Sequence, residues 1–181
     1  MTTIIPTEKK LHRKYIKEYK KSFRNYLLTS RFNTQTWQEN EQYRKTNPKL
    51  GCIYCSPDPV SCQIPNESIL FIMEMNNDTN KIMGIGMVRN HSFINKYNVY
   101  ENGNYNRYVY TGKQRIGRDE MTEKEEEIME VFDILCFKGN RHMKRGQGLK
   151  AFPTDMLYRC SKILDLIVFI STMFKNRIQK Q

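Results

Sequence analysis

The sequence lacks a long apolar run, a secretory leader and a disulfide framework, and each absence narrows the class of protein. Its longest apolar run, residues 163–174, contains Asp165 and is shorter than the roughly 20 residues that span a bilayer, so we expect no membrane insertion. Residues 1–6 do not combine a basic start with an apolar core, so we expect no secretory signal. The cysteines number five, which suits a reducing compartment better than paired disulfides. We therefore expect an intracellular protein that is not secreted.

Acidic residues are also scarce, at 19 against 30 lysines and arginines, which gives a formal net charge of +11. This excess favours an anionic partner, such as nucleic acid, an anionic membrane surface or an acidic protein. Alanine occurs only at Ala151, whereas asparagine, lysine, isoleucine and tyrosine are abundant. This bias indicates an AT-rich coding genome, so codon usage accounts for part of the lysine content.

The best clue to an anionic partner is residues 138–150, which we call the basic loop. It contains five lysines and arginines and three glycines. Arginine and lysine supply charge and hydrogen-bond donors, and glycine lets the backbone approach a phosphate closely. The spacing is not that of a P-loop, and the segment follows a predicted helix instead of a strand. The alternative interpretation is a solvated connector in a lysine-rich protein.

Apolar periodicity predicts four helices and three strands. The predicted helices cover residues 8–28, residues 36–46 with a capping box at Thr36 and Glu39, residues 122–138 with a capping box at Thr122 and Glu125, and residues 154–175. The predicted strands cover residues 68–75, 81–89 and 107–111. Residues 51–62 are expected to form an irregular loop, and residues 112–118 a basic turn.

These elements predict an α+β fold, in which a small curved antiparallel sheet is flanked by about four helices. Residues 1–48 are predicted to form a basic N-terminal helical extension, and residues 49–181 an α+β domain with a C-terminal helix. The first helix has an apolar stripe at Leu11, Tyr15, Tyr19 and Phe23 and basic residues on its other faces. The last helix is expected to be apolar nearly all round between residues 163 and 174. Both helices are suited to packing on the body of the protein or to binding viral or host proteins.

Two segments carry a resemblance to a known superfamily. Lys81-Ile-Met-Gly-Ile-Gly-Met-Val88 resembles the glycine-bearing strand of the PUA-like superfamily, in particular EVE and YTH-type domains. Residues 105–118 are similar to the aromatic strand and basic segment that follow in that superfamily, and the chain as a whole resembles a protein family of large DNA viruses of protists. The resemblance implies a partial barrel that binds RNA or DNA, often through a flipped or modified base. It also implies a viral protein of the host cytoplasm, the nucleus or the virion.

A protein that reads a single-stranded or flipped base needs flat aromatic faces beside cationic donors. The candidates for base stacking are Trp37, Tyr97, Tyr100, Tyr105, Tyr108 and Tyr110. The candidates for phosphate contact are Arg107, Lys113, Arg115, Arg118, Arg141, His142, Lys144, Arg145 and Lys150. The alternative for Tyr108 and Tyr110 is packing in the core, because both lie in one predicted strand.

Cys52 and Cys55 have the spacing of a zinc-ligand pair, and Cys62 and His91 would complete a set of four. The overall spacing matches no zinc-finger pattern, so reduced cysteines are the favoured interpretation, and we predict no cofactor. No local nucleophile signature is present, and Glu74, Asp119, Glu120 and Asp133 are not gathered by their spacing. We therefore predict a nucleic-acid-binding protein with no catalytic residues. The alternatives are a structural or packaging component of a virus particle and, less favoured, a nuclease or base-modifying enzyme.

Overall fold

The computed structural model describes residues 6–180, except the side chain of Pro6. The expectation of no secretory signal rests mainly on residues before Pro6 and lies outside this range. The helices are α1 (Pro6–Lys21), α2 (Thr34–Thr46), α3 (Glu123–Phe137), α4 (Thr154–Ser161) and α5 (Leu166–Ile178). The strands are β1 (Tyr26–Phe32), β2 (Cys52–Ser56), β3 (Ile69–Asn76), β4 (Lys81–Arg89), β5 (Phe93–Ile94), β6 (Tyr108–Gly112), β7 (Gln114–Gly117) and β8 (Lys150–Ala151).

The chain forms two compact units. The helical unit contains residues 6–25 and 152–180, hence α1, α4 and α5, and the sheet unit is Tyr26–Ala151. Within the described residues, no helix has both the length and the apolar content required to cross a membrane.

The sheet unit contains a five-stranded sheet of order β7-β4-β3-β1-β8 and a three-stranded sheet of order β2-β6-β5. Buried residues of β1, β2, β3, β4 and β6 join in one hydrophobic core, which includes Leu28, Ile53, Leu70, Val88 and Val109. Neither sheet closes into a barrel. The predicted α+β class is confirmed, with one difference. The larger sheet is mixed because β1 runs parallel to β3, in register from Tyr26 with Leu70 to Phe32 with Asn76.

The β3–β4 hairpin was predicted and is confirmed, since β4 has the predicted bounds and β3 shifts by one residue. A register shift between Met73 and Met75 marks a β-bulge, which bends the strand. The two glycines of β4 are explained by close approach. A Cβ at Gly86 would overlap the Tyr54 hydroxyl, and one at Gly84 would lie 2.8 Å from a Glu74 carboxylate oxygen.

Two strands were missed by the sequence analysis. The predicted helix over residues 8–28 ends at Lys21, and residues from Tyr26 onward form β1. The predicted irregular loop over residues 51–62 contains β2, all of whose residues are buried. Both strands are covered on two faces, so neither shows the alternation of apolar and polar residues that marks a half-buried strand.

The helix starts follow local capping, as predicted for α3, where Thr122 and Glu125 form the capping box. Helix α2 begins earlier than predicted, because Asn33 is the N-cap and Thr36 supplies the reciprocal hydrogen bond. The predicted last helix is two helices, α4 and α5, with Asp165 capping the second.

The apolar faces of the helical unit also differ from the prediction. Leu11 and Tyr15 of α1 are 49% and 45% exposed, whereas Ile16 and Tyr19 are half-buried. The apolar segment 163–174 is buried only in part, because Ile163, which precedes α5, is 95% exposed and Val168 is 60% exposed.

Candidate nucleic-acid interface

The basic loop connects α3 to β8 and is fastened at its centre. Met143 donates its backbone N–H to the carbonyl of Cys136 at 2.7 Å, and its own carbonyl accepts from Arg31 Nε at 2.5 Å. The next carbonyl, that of Lys144, accepts from Asn77 Nδ2 at 2.9 Å. Met143 and Leu149 are buried. The middle of the loop is therefore held in place, and its charged side chains project from an ordered backbone.

The cations of the basic loop lie mostly at the surface. Arg141, Arg145 and Lys150 are exposed, and Lys144 is partly exposed. Among the described residues, no ion pair within 4.0 Å involves Lys144, Arg145 or Lys150. His142 is half-buried, and its Nδ1 is buried without a hydrogen-bond partner in the described part of the chain. Arg145 and Lys150 therefore present charge that no ion pair of the described residues balances, whereas Lys144 lies close enough to Asp78 for its charge to act on that carboxylate.

Arg115, by contrast, belongs to a buried polar cluster. Its Nη2 lies 2.7 Å from Oε2 of Glu74, a carboxylate on a side chain that is 1% exposed. Tyr54 donates its hydroxyl to the other oxygen of Glu74 at 2.7 Å. Burial, and next the charge of Glu74, raise the pKa of Tyr54 well above its ordinary value, so the phenol keeps the proton that it donates.

Arg118 is held in the same way by α3. Its guanidinium donates to Glu126 at 2.6 Å and to Asp133 at 3.0 Å, and its side chain is 14% exposed. The segment that contains both arginines is strand β7 followed by a short turn, where the sequence analysis predicted a basic turn throughout. The structure therefore places Arg115 and Arg118 in internal ion pairs, whereas Lys113 and Arg107 are exposed.

The aromatic candidates divide into buried and partly exposed rings. The Tyr110 hydroxyl accepts from the backbone N–H of Val60 at 2.9 Å, and the Tyr100 hydroxyl accepts from Asn40 at 3.0 Å. Tyr110 and Tyr100 are 2% and 8% exposed, and both belong to the core. The partly exposed rings are those of Trp37, Tyr97, Tyr105 and Tyr108.

Trp37 lies within a group of cations. The guanidinium carbons of Arg44 and Arg115 are each 5.6 Å from the centre of its ring system, and Phe32 meets it edge to face at 5.3 Å. This surrounding leaves Trp37 half-buried. The Trp37 ring therefore already packs against Phe32, Arg44 and Arg115 of the same chain.

A second aromatic group lies at the edge formed by β5 and β6. Lys96 Nζ is 4.5 Å from the ring centre of Phe93 and 5.4 Å from that of Tyr97, and Arg107 lies 5.5 Å from that of Tyr108. Tyr97, Arg107 and Tyr108 were predicted from the sequence, whereas Phe93 and Lys96 were not. Their signal was the same mixture of aromatic and basic residues in residues 90–106.

The cysteine cluster does not gather in the structure. Cys52 and Cys55 lie three residues apart on β2, so their side chains point to opposite faces of the strand. Burial raises the pKa of each to about 12, which disfavours the thiolate that zinc requires. Cys62 is exposed, and His91 Nδ1 lies 2.8 Å from Glu67. Within residues 6–180, no group of three or more histidines, cysteines and acidic residues is placed to hold a metal.

Arg31 is a candidate that the sequence analysis missed. It lies near the carboxyl end of β1, and Asn77 directly follows β3. Both residues line a cavity of about 180 Å³ under residues 146–148 of the basic loop. Arg31 Nη1 and Asn77 Oδ1 are buried and lack hydrogen-bond partners among the described residues. The structure therefore places a partly buried cation, whose Nη1 is buried and unpartnered among the described residues, beneath the basic loop.

Comparisons with known proteins add no relative to these observations. No protein family model, curated protein or solved structure matches the chain. The resemblance to the PUA-like superfamily therefore stays a prediction.

Proposed function

We propose that the protein binds nucleic acid without catalysing a reaction, and that the basic loop contacts the phosphate backbone. The observation that carries the proposal is the charge on the fastened backbone of this loop, where Lys144, Arg145 and Lys150 form no ion pair within 4.0 Å among the described residues. Arg115 and Arg118 differ from the cations of the basic loop, because Glu74, Glu126 and Asp133 neutralise them. Lysines and arginines that neutralise phosphates release the counterions condensed on the nucleic acid, which makes binding favourable and dependent on salt.

The aromatic edge of β5 and β6 is proposed to stack one or more bases. Tyr97 and Tyr108 are partly exposed, and Lys96 and Arg107 lie beside them at cation–π distances. A ring stacks on any base, and each stacked base contributes about 1 to 3 kcal/mol to binding. This arrangement suits a single strand or a flipped base, modified or not, better than a continuous duplex, in which the base faces are covered.

Equilibrium binding tests the proposal directly. Fluorescence anisotropy with single-stranded RNA and DNA at low salt is expected to show binding by the wild-type protein. The triple variant K144A/R145A/K150A is expected to bind more weakly by about tenfold or more, because each lost phosphate contact removes a charge-assisted interaction. The matched control K49A/K124A/K175A removes the same net charge from exposed lysines elsewhere and is expected to bind nearly as tightly as the wild type. Absence of binding at low salt, or equal losses in both variants, would contradict the proposal.

A second candidate function is a structural component that assembles through protein–protein interfaces, such as a packaging protein of a virus particle. The exposed apolar side chains of the helical unit favour it, in particular Leu11, Tyr15, Ile163 and Val168. Sedimentation velocity separates the two candidates. Assemblies that dissociate when Ile163 and Val168 are changed to serine support the structural role, and a monomer at all concentrations counts against it.

A further inference from the structure

The cavity beneath the basic loop has a composition that selects an anion. Its walls come from the carboxyl end of β1, the start of α2 and residues 146–148 of the basic loop, and Asn77, Cys55, Tyr100 and Tyr105 complete them. Hydrogen-bond donors are provided by Arg31, Ser30 and Gln147. None of the residues that the structure places in the walls is an aspartate or glutamate.

Arg31 carries a charge in this cavity that no acidic group of the described chain balances at hydrogen-bond distance. Its Nε is used by the Met143 carbonyl, whereas its Nη1 is buried and has no partner within the described residues. Burial lowers the pKa of Arg31, and the opposing influence comes only from the thiol of Cys136. Arg31 as a residue is partly buried, and its Nη1 is shielded from solvent without a partner in the described chain, so an anion that enters the cavity is stabilised by the guanidinium.

The glycines of the basic loop keep this guanidinium accessible. Gly146 and Gly148 have φ angles of +106° and +69°, which side chains rarely adopt. A Cβ at Gly146 would lie 3.9 Å from the guanidinium carbon of Arg31, and one at Gly148 would overlap the hydroxyl of Ser56. The backbone therefore passes close to Arg31 without a side chain that would cover it.

The size of the cavity excludes most ligands. At about 180 Å³ it is smaller than the roughly 300 to 1,000 Å³ of ordinary small-molecule sites, so it admits a single compact group. Asn77 favours a ligand that can also donate a hydrogen bond. Its Nδ2 is engaged by the Lys144 carbonyl, which leaves Oδ1 as a buried acceptor without a partner in the described chain.

A phosphate monoester has a suitable partner for each of these two groups. Its second ionisation has a pKa of about 6, so near that pH it carries negative oxygens for Arg31 and one O–H for Asn77 Oδ1. An internal phosphodiester has two free oxygens and no proton at that pH. A sulfate ion has the same shape as phosphate but also lacks the proton.

We propose that the cavity binds a phosphate monoester, and that this group is the terminal phosphate of a nucleic-acid strand. The second part rests on the proposed function, because the strand that follows the end would run along the basic loop. The protein would thus hold a phosphorylated end of a strand more tightly than an internal segment.

Binding of matched oligonucleotides tests the inference. Single strands of one sequence, with a 5′-phosphate, a 3′-phosphate or two hydroxyl ends, are compared at pH 6 with wild-type protein. The strand with one of the two phosphorylated ends is expected to bind about tenfold tighter or more than the strand with two hydroxyl ends. One charge-assisted hydrogen bond is sufficient for a difference of this size. In Q147E the new carboxylate repels phosphate and can pair with Arg31, so the preference is expected to vanish. Q42E adds the same charge on the exposed side of α2 and is expected to keep the preference.

Thermal melting with inorganic phosphate and with sulfate provides a readout that does not need nucleic acid. Phosphate is expected to raise the melting temperature of wild-type protein and Q42E more than sulfate does, and to leave Q147E and R31M unchanged. Equal effects of phosphate and sulfate would overturn the role of Asn77.

The outcomes separate this inference from the proposed function. Oligonucleotides that bind with equal affinity whatever their ends overturn the inference and leave the proposed function standing. Stabilisation by phosphate without any oligonucleotide binding overturns the nucleic-acid source and the proposed function together, and identifies the cavity as a site for a small phosphate ester.

Discussion

Glu74 receives two N–H groups of Arg115, with Nε at 2.9 Å from Oε1 and Nη2 at 2.7 Å from Oε2. The carboxylate is on β3, and the guanidinium comes from β7, with β4 between them. Gly84 of β4 leaves the space that the pair occupies, because a Cβ there would lie 2.8 Å from both partners. The pair therefore ties three strands of the larger sheet together and withdraws Arg115 from the surface charge.

Substitution of Glu74 by glutamine is expected to destabilise the protein by about 3 to 5 kcal/mol, because it leaves the Arg115 charge buried and unpaired. Urea unfolding measures the change in the free energy of unfolding. The control is Glu41→Gln, which breaks an exposed pair of α2 with Lys45 at 3.4 Å and is expected to cost no more than about 0.5 kcal/mol. Similar costs for the two variants would show that the buried pair does not stabilise the sheet.

The acid stability of the protein is expected to depend on Glu126. Hydrogen bonds from Arg118 hold the pKa of Glu126 below its usual 4.5, so the folded state prefers the ionised carboxylate. This contribution is present above the unfolded pKa and is lost as the pH falls through the lower folded pKa. E126Q is expected to be less stable than wild type at pH 7, and the gap is expected to shrink below about pH 4.5.

Unfolding curves at pH 7, 5, 4 and 3 check this dependence. E127Q, which removes an exposed carboxylate of the same helix, is the control and is expected to follow the wild type at every pH. A gap for E126Q that stays constant down to pH 3 would mean that ionisation of Glu126 contributes nothing to acid stability.

The five cysteines are expected to react at different rates. Burial raises the pKa values of Cys52, Cys55 and Cys136 to about 12, which leaves little thiolate at pH 8, whereas Cys62 is exposed. Alkylation of the native protein at pH 8, followed by mass spectrometry of the peptides, should label Cys62 first and Cys160, which is partly buried, more slowly. Denatured protein should label all five. Rapid native labelling of Cys52 or Cys55, or their protection by added zinc, would contradict the burial and revive the metal site.

The aromatic edge gives a prediction that separates affinity from stability. Tyr108→Leu is expected to weaken binding of a single strand by about 1 to 3 kcal/mol for the base it stacks, whereas Tyr108→Phe retains the ring and the affinity. Tyr110→Phe removes the hydroxyl that accepts from Val60 and is expected to lower stability by about 1 to 3 kcal/mol with the affinity unchanged. Anisotropy titrations and urea unfolding of all three variants provide the two measurements. If Tyr108→Leu binds as wild type, the edge is not a stacking surface.

Elements with strong local signals were predicted from the sequence. The β3–β4 hairpin has a polar turn between two apolar runs, and α3 begins at a capping box, so both follow from neighbouring residues. Strands β1 and β2 have no such signal because both are buried on two faces. In β1, the residues Tyr26 and Leu27 also continued the helical spacing of α1, which extended the predicted helix by seven residues, from Lys21 to Leu28.

The candidate site shows the same limit. The basic loop was found from its composition, but Arg31 was not, because its partner Met143 is 112 residues away in the sequence. Arg115 and Arg118 were predicted to be surface cations for the same reason. Their partners Glu74 and Asp133 are distant in the sequence and lie beside them only in the folded protein. The residue types in the sequence show which side chains are charged. Long-range packing determines which of these charges remain exposed and able to contact a ligand.

The salt dependence of binding tests the central claim, contact between the basic loop and phosphates, most directly. The slope of log K against log[salt] for a single strand measures the number of phosphates contacted, at about 0.7 per contact. The slope for K144A/R145A/K150A is expected to be shallower than that of wild type by about 2, whereas K49A/K124A/K175A is expected to keep the wild-type slope. Equal slopes for wild type and the loop variant would contradict the account.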